Sequence, residues 1–118
     1  MRPLLVLVLA ALLPSTGTAL TVSDRDCAEG AGFIENAAHA RDNGITRERF
    51  VARFDEDLQA IRAFPAALRW FVQDDDDEVL LRTAVLQVFE EPRVPAEHGR
   101  RFLSTCRARV TAASDRAG

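Results

Sequence analysis

Cys27 and Cys106 are the only two cysteines in this 118-residue chain, and they stand near its opposite ends. Joined, they would close most of the chain into one loop. Whether they join depends on where the chain is delivered, since cystine persists in oxidising compartments and is rare in the cytosol. The first residues, "MRPLLVLVLAALLPSTGTAL", bear on that. Arg2 supplies a positive start, and Leu4 to Leu13 form an unbroken apolar run. Those ten residues fall short of the roughly 20 needed to span a bilayer. They match the apolar centre of a secretory signal instead. Pro14 breaks the run, and Gly17 and Ala19 place small side chains just before a cleavage point at Leu20. The sequence predicts a signal peptide over residues 1–19 and a periplasmic or secreted protein, with no stable membrane anchor after cleavage. In that setting an even cysteine count predicts a Cys27–Cys106 disulfide. The loop is long enough for chain entropy alone to give about 4.5 kcal/mol, comparable with the net stability of a small domain.

The remaining 99 residues are one domain's worth, with 14 arginines against 18 acidic residues. A formal charge of −4 excludes the basic stripe of a nucleic-acid binder and gives no strong attraction to anionic lipid. The cysteines lack C-x-x-C redox spacing. His39 and His98 are too few and too far apart to complete a zinc site, so no metal or cofactor is expected.

Apolar residues recur at helical spacing almost throughout, and hairpin-turn and alternating-strand signals are nearly absent. The pattern predicts an all-α fold, a small disulfide-linked bundle of four to five short helices occupying residues 20–113. The first helix runs from about Asp26 to Asn43. Asp26 and Glu29 have capping-box spacing, and Gly44 follows as a stop signal. Its stripe is Cys27, Ala31, Ile34 and Ala38. Gly30 and Gly32 either delay its start to Phe33 or let another backbone come close. The second starts at Thr46, carries Phe50, Phe54, Leu58 and Ile61 on one face, and ends near Phe64, which Pro65 pushes out of helical geometry. "PAALRWFV" reads as a short third helix with Pro65 in its first turn. The fourth carries Leu80, Leu81, Ala84, Val85 and Val88 and ends before Pro92. The fifth starts at Pro95 and turns Phe102, Leu103, Cys106 and Val110 inward, leaving Arg100, Arg101, Arg107 and Arg109 mostly outward. Residues 114–118 read as a flexible tail.

The run "DDDDE", Asp74 to Glu78, stands just before the fourth apolar series. Asp75 and Glu78 have capping-box spacing, and the charges complement the positive end of a helix. The run lacks the alternating ligands, glycine and final glutamate of a calcium loop. Asp74, Asp75, Asp76 and Asp77, with Trp70, are the candidate partner-facing residues. Trp70 reads first as a core or core-rim residue, with an interface anchor as its functional alternative.

No nucleophile elbow, H-E-x-x-H motif, phosphate loop or haem site occurs. Glu35 and His39 share a helix face, a spacing also common on solvated surfaces. The order of features (signal segment, cysteine, helices, cysteine) is similar to that of periplasmic acid-stress chaperones and of some periplasmic immunity proteins. The likeness is of layout only and transfers no residues. The leading expectation is a non-catalytic protein acting through another protein. The alternatives are an acid-stress chaperone, since protonating its carboxylates would leave it positive and self-repelling, and a small exported enzyme.

Overall fold

The computed structural model describes residues 22–117, and the segment read as a signal peptide lies outside them, as does Gly118. The fold is all-helical: α1 Asp24–Asp42, α2 Arg47–Arg62, a single 3-10 turn Ala66–Leu68, α3 Asp75–Glu90 and α4 Pro95–Ala117. The disulfide is present, with Cys27 and Cys106 Cα atoms 5.6 Å apart.

α1 begins earlier than the sequence suggests. Ser23, not Asp26, is its N-cap. The Ser23 hydroxyl accepts from the Asp26 amide, and the Asp26 carboxylate accepts the Ser23 N–H at 2.9 Å. Asp26 therefore occupies the third helical position of the box, where its carboxylate can reach back. At the other end Gly44, with φ 93°, donates to the Arg41 carbonyl, and Ile45 donates to that of Ala40. This closes the helix with the left-handed residue that a Schellman stop requires. Thr46 then caps α2 by accepting from the Arg49 amide.

α1 and α4 form an antiparallel pair, the most extensive helix contact in the molecule. Arg107 meets Asp24, Cys106 meets Cys27, Phe102 meets Gly30 and Gly99 meets Glu35. The inner stripe of α1 is small: Gly30, Ala31, Ala37 and Ala38 are buried beside Cys27 and Ile34. A Cβ on Gly30 would fall 2.5 Å from the Phe102 ring, so this glycine permits the close approach. Gly32 faces open space. The glycines therefore do not delay the helix; one of them seats α4.

α3 packs on α1, and α2 lies against α3 with fewer contacts. The expected third helix is reduced to the one 3-10 turn. Trp70, Phe71 and Val72 are consecutive, and all turn inward: Phe71 and Val72 are buried and Trp70 half-buried. A helix would direct three successive side chains around its axis, about 100° apart, and the chain here is irregular instead of helical. α4 continues through Ala117 across the segment read as a flexible tail; neither proline nor glycine interrupts it after Gly99, and Thr111 to Arg116 are exposed. No helix among the described residues is long and apolar enough to cross a membrane.

Candidate functional site

The aromatic residues build a continuous wall. Ring contacts run from Phe89 to Phe50, Phe33, Trp70, Phe71 and Phe102, with centroids 5.5–6.0 Å apart, and Phe54 joins at Phe33. Six of the seven phenylalanines and the only tryptophan thus belong to one chain of contacts. Offset and edge contacts of this kind add to the burial of the rings themselves.

Between α2 and the Trp70 segment the wall opens into a groove of about 330 Å³. Phe33, Phe54, Leu58, Ile61, Trp70 and Leu81 line it, and the exposed residues Asp57 and Ala60 stand at its edge. Phe64 and Leu68, on the stretch between Ile61 and Trp70, are 47% and 70% exposed. Both leave large apolar side chains in water. Trp70 packs on Phe33 and Phe71, as a core-rim residue does, and it also lines the groove.

The acidic run divides into separate parts. α3 is capped one residue earlier than the Asp75–Glu78 spacing suggests. Asp74 is the N-cap and Asp77 the reciprocal partner, with the Asp77 amide donating to Asp74 Oδ1 at 2.9 Å. Asp77 does not face a partner: it is 2% exposed, on the same face as Leu81 and Val85, one and two turns on. Its Oδ2 accepts the Gln73 and Asp74 amides, and its Oδ1 lies 3.2 Å from Arg109 Nη2. Burial pushes the Asp77 carboxyl above the usual aspartate range, against the opposing pull of the Gln73 amide. Arg109 is half-buried by the same pair, not outward. Glu78, free of the capping role, accepts from Arg62 of α2 at 2.7 Å. Asp74, Asp75 and Asp76 are left exposed.

Two side chains without a sequence motif organise the far end. Arg41 reaches from the last turn of α1 and donates to the carbonyls of Val88, Glu91 and Arg93, at 2.7, 3.1 and 2.8 Å. The Val88 carbonyl is one that the end of α3 leaves without a helical partner. His98 is 3% exposed, and its Nε2 lies 3.0 Å from the Glu91 carbonyl. The Glu91 carboxylate accepts from Arg101 at 3.0 Å, which holds it below the usual glutamate range. Beside this node, between α3 and α4, lies a second hollow of about 140 Å³, with Ile34, Ala84 and Phe102 among its apolar residues and His98, Arg101 and Thr105 among its polar ones.

Glu35 lies over Gly99, and His39 is exposed at the end of α1. Among the described residues no group of three or more His, Cys, Asp or Glu side chains is placed to hold a metal ion. No protein-family model, curated protein or solved structure matches this chain.

Proposed function

We propose that this is an exported, non-catalytic protein of the periplasm or the extracellular space, and that it acts by holding another protein in its aromatic groove. The disulfide supports the oxidising compartment. The observation that carries the binding role is the groove itself, apolar and open, with the exposed Phe64 and Leu68 on the stretch of chain between its lining residues Ile61 and Trp70. Charge complementarity selects the occupant. Asp57 stands on the groove wall, and Asp74, Asp75 and Asp76 are exposed just beyond Trp70, where Glu78 anchors the end of α2 through Arg62. The partner is an amphipathic segment, with one bulky apolar side chain for the hollow and arginine or lysine beside it. Recognition of this kind places an apolar helix face in a groove and sets its direction by charge.

The test uses the disulfide-bonded protein and two variants. Ala60→Trp fills the groove from an exposed helix position, and Asp57→Lys reverses its charged edge. A protein captured from periplasmic extract is identified, purified and titrated calorimetrically against all three. The reading holds if Ala60→Trp and Asp57→Lys each weaken binding at least tenfold while melting like the parent. It fails if a partner binds Ala60→Trp as tightly as the parent, or if the binding segment carries no cationic residue.

A further inference from the structure

We infer that the hollow between α3 and α4 binds a small hydroxycarboxylate. The inference is independent of the groove, which lies between α2 and the Trp70 segment. Its starting point is the orientation of His98. The Glu91 carbonyl can only accept, so the Nε2 facing it at 3.0 Å carries a proton. In the neutral ring Nδ1 is then a lone-pair acceptor. Nδ1 makes no hydrogen bond to a described residue, yet it is not sealed off, since among the described residues the only buried side-chain polar atom without a partner is Gln73 Oε1. His98 lines the hollow, and we assign that nitrogen to it.

Arg101 lines the same hollow and is held by the same residue. Glu91 Oε2 accepts from Arg101 Nη1 at 3.0 Å. A guanidinium has five N–H donors arranged for two-point contact with a carboxylate. Nη2 and Nε are spent on no described residue, so a bound carboxylate shares Arg101 with Glu91. Glu91 is fixed in turn by Arg41, whose Nη1 donates to its carbonyl. Glu91 therefore contacts both His98 and Arg101 beside one space, and Arg41 braces it.

The ligand follows from those groups. A hydroxyl donates to His98 Nδ1, and a carboxylate accepts from Arg101. Ile34, Ala84 and Phe102 offer an apolar surface to a short carbon chain, and about 140 Å³ limits that chain to a few atoms. An acid without the hydroxyl leaves Nδ1 facing an apolar group. A diol without the carboxylate leaves the guanidinium unanswered.

The experiment titrates the oxidised protein with lactate, propanoate and propane-1,2-diol, following the His98 ring and the Thr83 and Gln87 amides by NMR. Lactate is expected to saturate, with propanoate and the diol each weaker by about tenfold, the effect of one lost hydrogen bond. Arg101→Gln is expected to weaken lactate by a similar factor. Thr105→Leu, at an exposed position on the hollow's rim, is expected to abolish binding without lowering the melting temperature. The inference is overturned if lactate gives no saturable shift at these residues, if propanoate or the diol binds as well as lactate, or if Arg101→Gln binds lactate unchanged.

Discussion

Replacing Arg41 with alanine should loosen the end of the molecule opposite the disulfide. The guanidinium serves carbonyls of three residues in two structural units, Val88 of α3 and Glu91 and Arg93 of the linker. Val88 is fully buried, so its carbonyl has least access to water once Arg41 is gone. Leaving that acceptor unsatisfied costs about 1.5–3 kcal/mol. Glu91 and Arg93 are only partly covered, and their carbonyls recover water, so each loses about 0.5–1 kcal/mol. The exposed contact with Asp42 adds little. The sum is about 2.5–5 kcal/mol, which lowers the melting temperature of a domain this size by roughly 12–24 °C. Lysine at position 41 carries the charge as a single point, cannot spread over three carbonyls, and should recover less than half of the loss. Thermal melts of the oxidised parent, Arg41→Ala and Arg41→Lys give the magnitudes. Hydrogen exchange gives the place: amides at the end of α3 and the start of α4 should lose protection before those around Cys27 and Cys106. A loss of less than about 1 kcal/mol in Arg41→Ala would refute the reasoning, because it would make the guanidinium a surface group. So would full recovery by lysine.

The double substitution Cys27→Ser with Cys106→Ser should keep the helical far-UV signal but lose about 2–5 kcal/mol; free thiols in protein taken from its native compartment, seen by mass spectrometry, would remove the premise. Gly32→Ala, on an exposed helix face with open space beyond it, should stabilise by up to about 1 kcal/mol. Gly30→Ala, which meets the Phe102 ring, should destabilise by about 1–3 kcal/mol, and denaturant melts that reverse this order would show that the α1–α4 spacing is not set there. Asp77 carries a raised pKa when folded, so the folded form takes up its proton before the unfolded chain does. Its charged form is a penalty in full force above the folded pKa and gone below the unfolded value of about 3.9. Relative to Asp77→Asn, the parent should therefore gain stability as pH falls through that window; chemical denaturation across pH showing the opposite slope would contradict the burial argument.

Much of the helix register can be read from spacing alone. Stepping back four residues from Leu81 puts Asp77 on the inner face, and stepping back four from Phe102 does the same for His98. The capping-box spacing of Asp75 and Glu78 competes with that of Asp74 and Asp77 in the same run. The apolar face of α3 decides between them, because only the second register lets Asp77 reach the Gln73 and Asp74 amides. The stretch from Pro65 to Gln73 misleads for the opposite reason. Its propensities suit a helix, but the core takes Phe71 and Val72 as neighbours, and tertiary burial overrides local preference. Arg41 has no local signal. Its acceptors are 47 to 52 residues away, and nothing near it in the chain distinguishes it from a solvated arginine. The groove and the α3–α4 hollow are equally silent in sequence, since each is space left between packed elements and not a pattern within one of them.

The pairing of α1 with α4 has a bearing on the order in which the molecule can be made. The first helix to leave the ribosome is the one whose main neighbour is the last. At about 5–20 residues per second, the 79 residues separating the cysteines take roughly 4–16 s to synthesise. For that interval Ile34 and the alanines beside it have no α4 to cover them, whatever α2 and α3 do. Contacts this distant raise the contact order above that of an up-and-down bundle, where each helix folds onto the one before it, and slow the search accordingly. Oxidation of Cys27 must wait for the same moment. A carrier that shields the α1 stripe until the chain is complete would thus act before the cross-link exists, and the cross-link would then make that shielding unnecessary.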